Sequence, residues 1–400
     1  MSESYRSGRP APLTVEERRS ALPVPREILR RSGFDRFETH LAGLLRCAPD
    51  RMTARIAVAA QARRLWRAAV HRAQGHAHPG TLPAADDRPL YWARLRLTGL
   101  LRQWTPRFQL DEAERAQLIA VLEAASRGQD AVRYPTGFRR ILVSGFDPFR
   151  LDGDIRRSNP SGAAALTLDG TTVPTRSGPA RIRAMLFPVR WRPFELGMVE
   201  HALLPHLPEV DLFTTLSQGR RGQFDLERFN GRWHEGIDNE NAARTGCTVP
   251  IPPEVPTVEP APEFVPATLP YEEIGRAATG RFPVRDNTGV LEIPRGATEP
   301  VFRPDGPTPG SAARAGGGGG YLSNEIAYRA TLLRDALGLD LPGGHVHTPI
   351  LEFGPYNSGQ LTDPVFERNQ RDITAQLRSI ITIAAGSIGR APDQRRLRSG

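Results

Sequence analysis

Three residues of this 400-residue chain have the types that nucleophilic hydrolysis requires: Ser323, His347 and Glu227. Such chemistry needs a hydroxyl or thiol at an exposed turn, a His to remove its proton, and an acid to hold the His in the right tautomer. Ser323 follows five consecutive glycines, Gly316 to Gly320, and opens a predicted helix over 322–337. Free backbone N–H groups and the helix dipole at such a start favour a developing oxyanion. His347 lies on the next predicted strand, 345–351, and Glu227 on the segment after the predicted strand at 210–216. Position alone also allows plainer duties. A serine at a helix start is most often an N-cap, and a histidine in an apolar strand is more often a satisfied core residue than a base.

The elements that must position these residues follow from periodicity. Residues 1–25 are polar and expected to be loose. Residues 26–74 read as helical, with Ile56, Ala60, Leu65 and Ala69 at helical spacing. Two more helices are predicted over 90–104 and 111–126, the second opened by Asp111 with Glu114 three residues on, a capping-box arrangement. Residues 26–130 therefore read as a small all-α region. From Arg139 the pattern changes to short apolar runs at 140–144, 183–188 and 210–216, with helical stretches between them, notably 193–204. The fold class this predicts is α/β: a three-layer α/β/α sandwich with a mainly parallel sheet over 138–388. Residues 250–266 read as an extended loop and 269–278 as a helix. A polar, Pro- and Gly-rich insertion over about 280–315 is expected to leave the core. Thr362 or Asp363 caps a long helix with Pro364 in its first turn, running to Ala385. Residues 389–400 are expected to form a disordered tail.

Composition narrows the classes. The formal charge is +9, and every one of the 53 basic residues is Arg. A chain without lysine has no Schiff-base nucleophile and no P-loop lysine. Nucleic acid is not the expected partner, because the Arg content reads as compositional bias; the Arg63, Arg64, Arg67 and Arg72 face is expected to be solvated. No apolar run reaches membrane-spanning length, and no apolar h-region follows Met1. With only Cys47 and Cys247, far apart, a cytoplasmic location is expected and no disulfide framework. No metal and no cofactor are expected. His71, His76 and His78 lack a completing ligand set, and Asp152 and Asp154 read as turn residues rather than a calcium loop. Trp66, Trp92 and Trp104 are expected to pack the helical region's core or to dock it on the α/β domain. A homo-oligomer is compatible with the sequence.

Local motifs then add a resemblance. Gly145-Phe-Asp-Pro-Phe149 followed by Ser158-Asn-Pro-Ser161 resembles the GFEPF and NPS signature of pyroglutamyl peptidase I, a cysteine peptidase that removes N-terminal pyroglutamate. Ser217-Gln-Gly219, Leu226-Glu-Arg228, Ile237-Asp-Asn239, Ala267-Thr-Leu-Pro270, Tyr321-Leu-Ser-Asn324 and His345-Val-His-Thr-Pro349 are similar to further family motifs, in the family's order. The resemblance covers about 139–385. It implies Ser323 at the nucleophile position, His347 as base and Glu227 as orienting acid. It implies Phe146 and Phe149 beside a lactam ring, Gln218 in the same pocket and Asn159 near its mouth. Asp238 and Asn239 are expected to be structural turn residues.

The departures bear on activity. Ser stands where the family has Cys, the glycine run replaces the family's strand end, and the family's Arg before the Ile-Asp-Asn stretch is absent, with Arg232 as a substitute. A Ser323–His347 separation within hydrogen-bond reach, with an open pocket lined by Phe146 and Phe149, favours the enzyme; a filled pocket or an outward-turned His347 favours an inactive member. The expectation is a hydrolase for a small peptide carrying a pyroglutamyl, lactam or related amide group. The alternative is an inactive or diverged member that binds a small ligand or a protein.

Overall fold

The structure is a computed structural model and describes residues 10–389 except 79 and 278–279. The expected disordered tail, Gly389 aside, lies outside the described residues. The chain forms two compact units. One comprises residues up to 131 with 148–158 and 359–362, the other 132–147, 159–358 and the residues from 363 on.

The first unit is built from α1 Val15–Arg19, α2 Pro23–Ser32, α3 Arg36–Cys47, α4 Arg51–Ala73, α5 Arg88–Gln103 and α6 Glu112–Ser126. Helix α1 falls inside the stretch expected to be loose. A capping box explains it: Thr14 Oγ1 accepts from Glu17 N–H, and Glu17 reaches back to Thr14 N–H. The same device opens α6 at Asp111 and Glu114, as the spacing predicts. Trp66 and Trp92 are buried in this unit. Several arginines are buried as well, among them Arg72 and Arg88. Arg72 donates to the carbonyls of Leu82, Ala84 and Asp86 instead of lining a solvated face. Arg88 forms a fully buried pair with Asp86, 2.7 Å, and donates to Arg156 and Leu361 carbonyls. Asp152 and Asp154 pair with Arg19 and Arg156.

The second unit is α/β. Its elements are β1 Arg139–Phe146, α7 Pro160–Leu168, β2 Thr172–Thr175, β3 Gly178–Phe187, α8 Trp191–Glu195, α9 Met198–Leu203, β4 Leu212–Gln218, β5 Phe224–Glu227, β6 Phe229–Gly231, β7 His234–Ile237, β8 Ala243–Cys247, β9 Phe264–Pro266, α10 Tyr271–Ala277, β10 Val284–Asn287, β11 Val290–Ile293, β12 Val301–Arg303, β13 Ala312–Ala315, α11 Leu322–Ala336, β14 Gly343–Thr348 and α12 Pro364–Ala385. Seven strands form the central sheet in the order β10-β5-β14-β4-β1-β3-β2. It is mainly parallel; only the β5–β14 and β2–β3 pairs are antiparallel.

Strand alternation sorts the two faces. Ile141, Val143, Leu212, Leu216, Leu226 and Val346 point to one face and join a core with Ile373, Leu377, Ile380 and Ile381 of α12. Those α12 residues recur at helical spacing, and Asp363 caps the helix by accepting from Val365 and Phe366 N–H. Burial of each such side chain contributes roughly 1.5–3 kcal/mol. Helix α11 lies against β4 and β14.

The insertion does not leave the core entirely. Its first strand, β10, pairs in parallel with β5 and forms the edge of the central sheet. Its polar sequence, with Arg285 and Asp286 exposed, carries no apolar signal to announce a strand. The rest folds as a small antiparallel sheet, β12-β11-β13.

Candidate active site

The face of the sheet opposite the α12 core carries a polar ladder. Thr215 and Ser217 of β4 register with His345 and His347 of β14, which register with Glu227 and Asp225 of β5; Glu227 in turn registers with Asn287 of β10. Two-residue spacing puts each pair on one face. All seven residues are buried.

His347 Nδ1 lies 2.7 Å from Glu227 Oε1. Because the carboxylate can only accept, the ring in its neutral form carries its proton at Nδ1 and presents its lone pair at Nε2. No hydrogen bond reaches Nε2 among the described residues. Asn287 Nδ2 donates to Glu227 Oε2 at 2.6 Å and to Gly317 C=O at 3.0 Å, so the insertion's edge strand fixes the acid and ties it to the glycine run.

That run forms a tight turn, with Gly316 N–H donating to Gly319 C=O and the reverse bond closing it. Gly317 must lack a side chain because a Cβ there would sit 2.2 Å from Glu227 Oε2. A Cβ on Gly318 would lie 3.0 Å from His347 Cε1 and 3.6 Å from Asn324 N. The turn therefore brings the imidazole beside the start of α11. Ser323 is half-buried there. The N–H groups of Leu322 and Ser323 make no hydrogen bond among the described residues, as expected in a first helical turn. Asn324 anchors the turn from below, accepting from Gly231 N–H and donating to the carbonyls of Gly231 and Trp233.

The expected Ser323–His347 hydrogen bond is not formed. Ser323 Oγ donates instead to Gly318 C=O at 3.3 Å. The physical reason is the glycine turn, whose carbonyl offers the hydroxyl a local acceptor.

The remaining candidates divide. Phe146 is buried and stacks on Phe194, centroids 6.1 Å apart at 19°. Phe149 belongs to the 148–158 segment of the helical unit. Asn159 is the N-cap of α7: its Oδ1 accepts from Ser161 N–H and Oγ–H, and its Nδ2 donates to Asp147 C=O. Gln218 Oε1 accepts from Leu351 N–H at 3.4 Å. Arg232 Nε donates to Val249 C=O and forms no hydrogen bond or ion pair with Ser323, His347 or Glu227. Asp238 holds its turn by accepting from Glu240, Ala242 and Trp191 N–H.

Packing gives several motif residues a reason. A Cβ on Gly145 would sit 2.5 Å from Ser161 C=O, so α7 can approach β1 only over glycine. Ser161 Oγ accepts from Phe146 N–H. A Cβ on Gly219 would lie 2.5 Å from His347 Cβ.

Five residues of the ladder, Thr215, Ser217, His345, Asp225 and Asn287, were not singled out as candidates from the sequence. His345 is fully buried between Thr215 Oγ1 on Nδ1, 2.8 Å, and Ser217 Oγ on Nε2, 2.7 Å. Burial, and then the charge of His347, hold its pKa well below the ordinary histidine value. Its ring meets that of His347 edge-on, centroids 4.6 Å apart. Burial, followed by the charge of Glu227, pushes the Asp225 carboxyl up. The i, i+2 spacing of His345-Val-His347 and Asp225-Leu-Glu227 was the signal for two of them.

Among the described residues no helix is long and apolar enough to cross a membrane, and no group of three or more His, Cys, Asp or Glu could hold a metal ion.

Comparison with known proteins places the chain. A solved mutant pyrrolidone carboxyl peptidase from Pyrococcus furiosus is similar at 20% identity, covering 61% of this chain and 97% of that one, with a TM-score of 0.41. Pyroglutamyl peptidase I from Bacillus amyloliquefaciens is similar at 20% identity over 62% of this chain and 95% of that one, with a TM-score of 0.40. The Pseudomonas aeruginosa protein described as uncharacterized protein PA0049 is 34% identical over a 501-residue alignment, covering 93% of this chain and 89% of that protein. The model of the PA0049 N-terminal domain matches residues 2–123, and that of the PA0049 C-terminal domain matches 140–268 and 271–352. With both domain models and a relative of that coverage agreeing, the chain belongs to the PA0049 family.

Proposed function

We propose that the α/β unit hydrolyses a small N-terminal lactam or amide of a peptide, a pyroglutamyl group or a close relative, in the cytoplasm. Ser323 Oγ attacks the carbonyl carbon while His347 Nε2 takes its proton. The oxyanion receives the free N–H groups of Leu322 and Ser323. His347 returns the proton to the leaving amine, and water then cleaves the acyl ester by the same steps in reverse. Glu227 keeps the imidazole in the tautomer that accepts at Nε2. Phe146 is assigned to the apolar wall of the site.

One observation carries this reading: His347 Nδ1 sits on Glu227 Oε1 at 2.7 Å while Nε2 is unengaged beside the start of α11. The hydroxyl must leave Gly318 C=O and rotate to His347 when substrate binds. The test is fluorophore release from a pyroglutamyl amide by the purified chain, with Ser323→Ala as control. Turnover lost in the variant is expected; turnover unchanged in the variant would refute the mechanism.

The Ser323–Gly318 hydrogen bond favours a second reading, a non-catalytic module that binds a small ligand or a protein. It predicts no turnover by either protein.

A further inference from the structure

A second nucleophile–base–acid arrangement lies elsewhere in the α/β unit. Cys247, the last residue of β8, is exposed and registers with His234 across the β7–β8 pair. Its Sγ is 2.9 Å from His234 Nε2. His234 is buried, and its Nδ1 lies 2.9 Å from Glu325 Oε2. Glu325 is fully buried and is fixed in turn by Arg329, whose Nε donates to Oε1 at 2.8 Å. Arg329 also pairs with Glu200 and donates to Pro250 C=O. The ring of Trp191 packs edge-on against the imidazole, centroids 5.2 Å apart. A carboxylate on Nδ1 leaves the lone pair of neutral His234 at Nε2, aimed at the thiol. A buried histidine that only needed satisfying could take a backbone carbonyl or a hydroxyl. Here both hydrogen-bond partners are groups that can take part in proton transfer, and Cys247 is exposed.

We infer that Cys247 is a nucleophilic thiol, activated by His234 and oriented through Glu325, that exchanges with small disulfides. His234 Nε2 takes the S–H proton as Sγ attacks one sulfur of the disulfide. The S–S bond breaks, and the departing thiolate takes the proton back from the imidazolium. The products are a mixed disulfide on Cys247 and one free thiol, with the incoming disulfide as the only oxidant. The site is separate from Ser323, and neither reading depends on the other.

The charged surroundings bear on the ionisation of the thiol. Arg244 of β8, paired with Glu195 of α8, lies near the thiol; Glu325 and Arg329 of α11 and Glu200 of α9 stand behind the imidazole. Burial raises the thiol's pKa, with Arg244 opposing and Glu195 and Glu325 adding to the rise. A free thiolate is therefore scarce at neutral pH, and the histidine must take the proton.

The test uses the full chain and dithiodipyridine, a neutral aromatic disulfide, with peptide mass spectrometry to resolve the two cysteines. Cys47, exposed and without a histidine partner among the described residues, is the internal control. Cys247 is expected to react at least about tenfold faster than Cys47 at neutral pH. His234→Gln should bring Cys247 to the Cys47 rate or below. A Cys247 no faster than Cys47, or unaffected by His234→Gln, would overturn the inference. The wild-type comparison of the two cysteines needs no variant, and a Cys247 no faster than Cys47 refutes the inference by itself.

Discussion

Gly317→Ala probes the joint between the glycine turn and the acid. The new Cβ would sit 2.2 Å from Glu227 Oε2, where contacts under 3.0 Å are essentially never seen, so carboxylate and loop must part by roughly an ångström. Glu227 has no slack, being held by His347 on Oε1 and by Asn287 on Oε2. Losing one such charged hydrogen bond costs about 1.5–3 kcal/mol. For a unit of this size that lowers Tm on the order of 5 °C. Misplacement of about 1 Å at a reacting centre costs on the order of 10²-fold in kcat/KM. The assay is a paired thermal melt and pyroglutamyl-amide turnover. Gly275→Ala is the contrast: it lies exposed on α10, its Cβ meets nothing within 4 Å, and it should stabilise by about 0.5–1 kcal/mol. A Gly317→Ala protein that melts with the wild type would refute the packing argument.

Other outcomes follow from the same structure. His345 is buried with its pKa held low, so the unfolded chain binds a proton that the folded chain refuses. Stability should be intact above the unfolded value, about pH 6.5, and fall as pH drops below it. Denaturant melts of His345→Gln should show a shallower slope there; an unchanged slope would refute the assignment. Asn159→Ala removes the α7 cap and should cost about 1–2 kcal/mol with KM unchanged, whereas a selective KM rise would restore Asn159 to the binding site. Asp86→Ala strands the buried Arg88 guanidinium and should cost the helical unit about 3–5 kcal/mol, read by hydrogen exchange of α5. Unchanged protection would show that the pair is dispensable.

The parts legible in the sequence were those with a strong period or a fixed local rule. The β1 and β4 runs, the α6 capping box and the Asp363 cap of α12 all stand where composition and spacing put them. The proximity of His347, Glu227 and the start of α11 was implied by the motif order and is a feature of the fold. The misses share a physical cause. β10 is a polar edge strand, so nothing in its sequence distinguished it from loop, and Asn287 went unseen with it. Arg72 and Arg88 are buried by backbone carbonyls that no sequence window reveals. The hydroxyl of Ser323 follows a carbonyl of the glycine turn, a choice set by loop geometry and not by residue type.

The most direct measurement is labelling of the chain by a serine-directed fluorophosphonate, with the modified peptide identified by mass spectrometry. Activation of Ser323 by His347 predicts a phosphonyl adduct on Ser323 that disappears in His347→Ala. A wild-type protein left unlabelled at Ser323, or labelled equally in His347→Ala, would contradict the account.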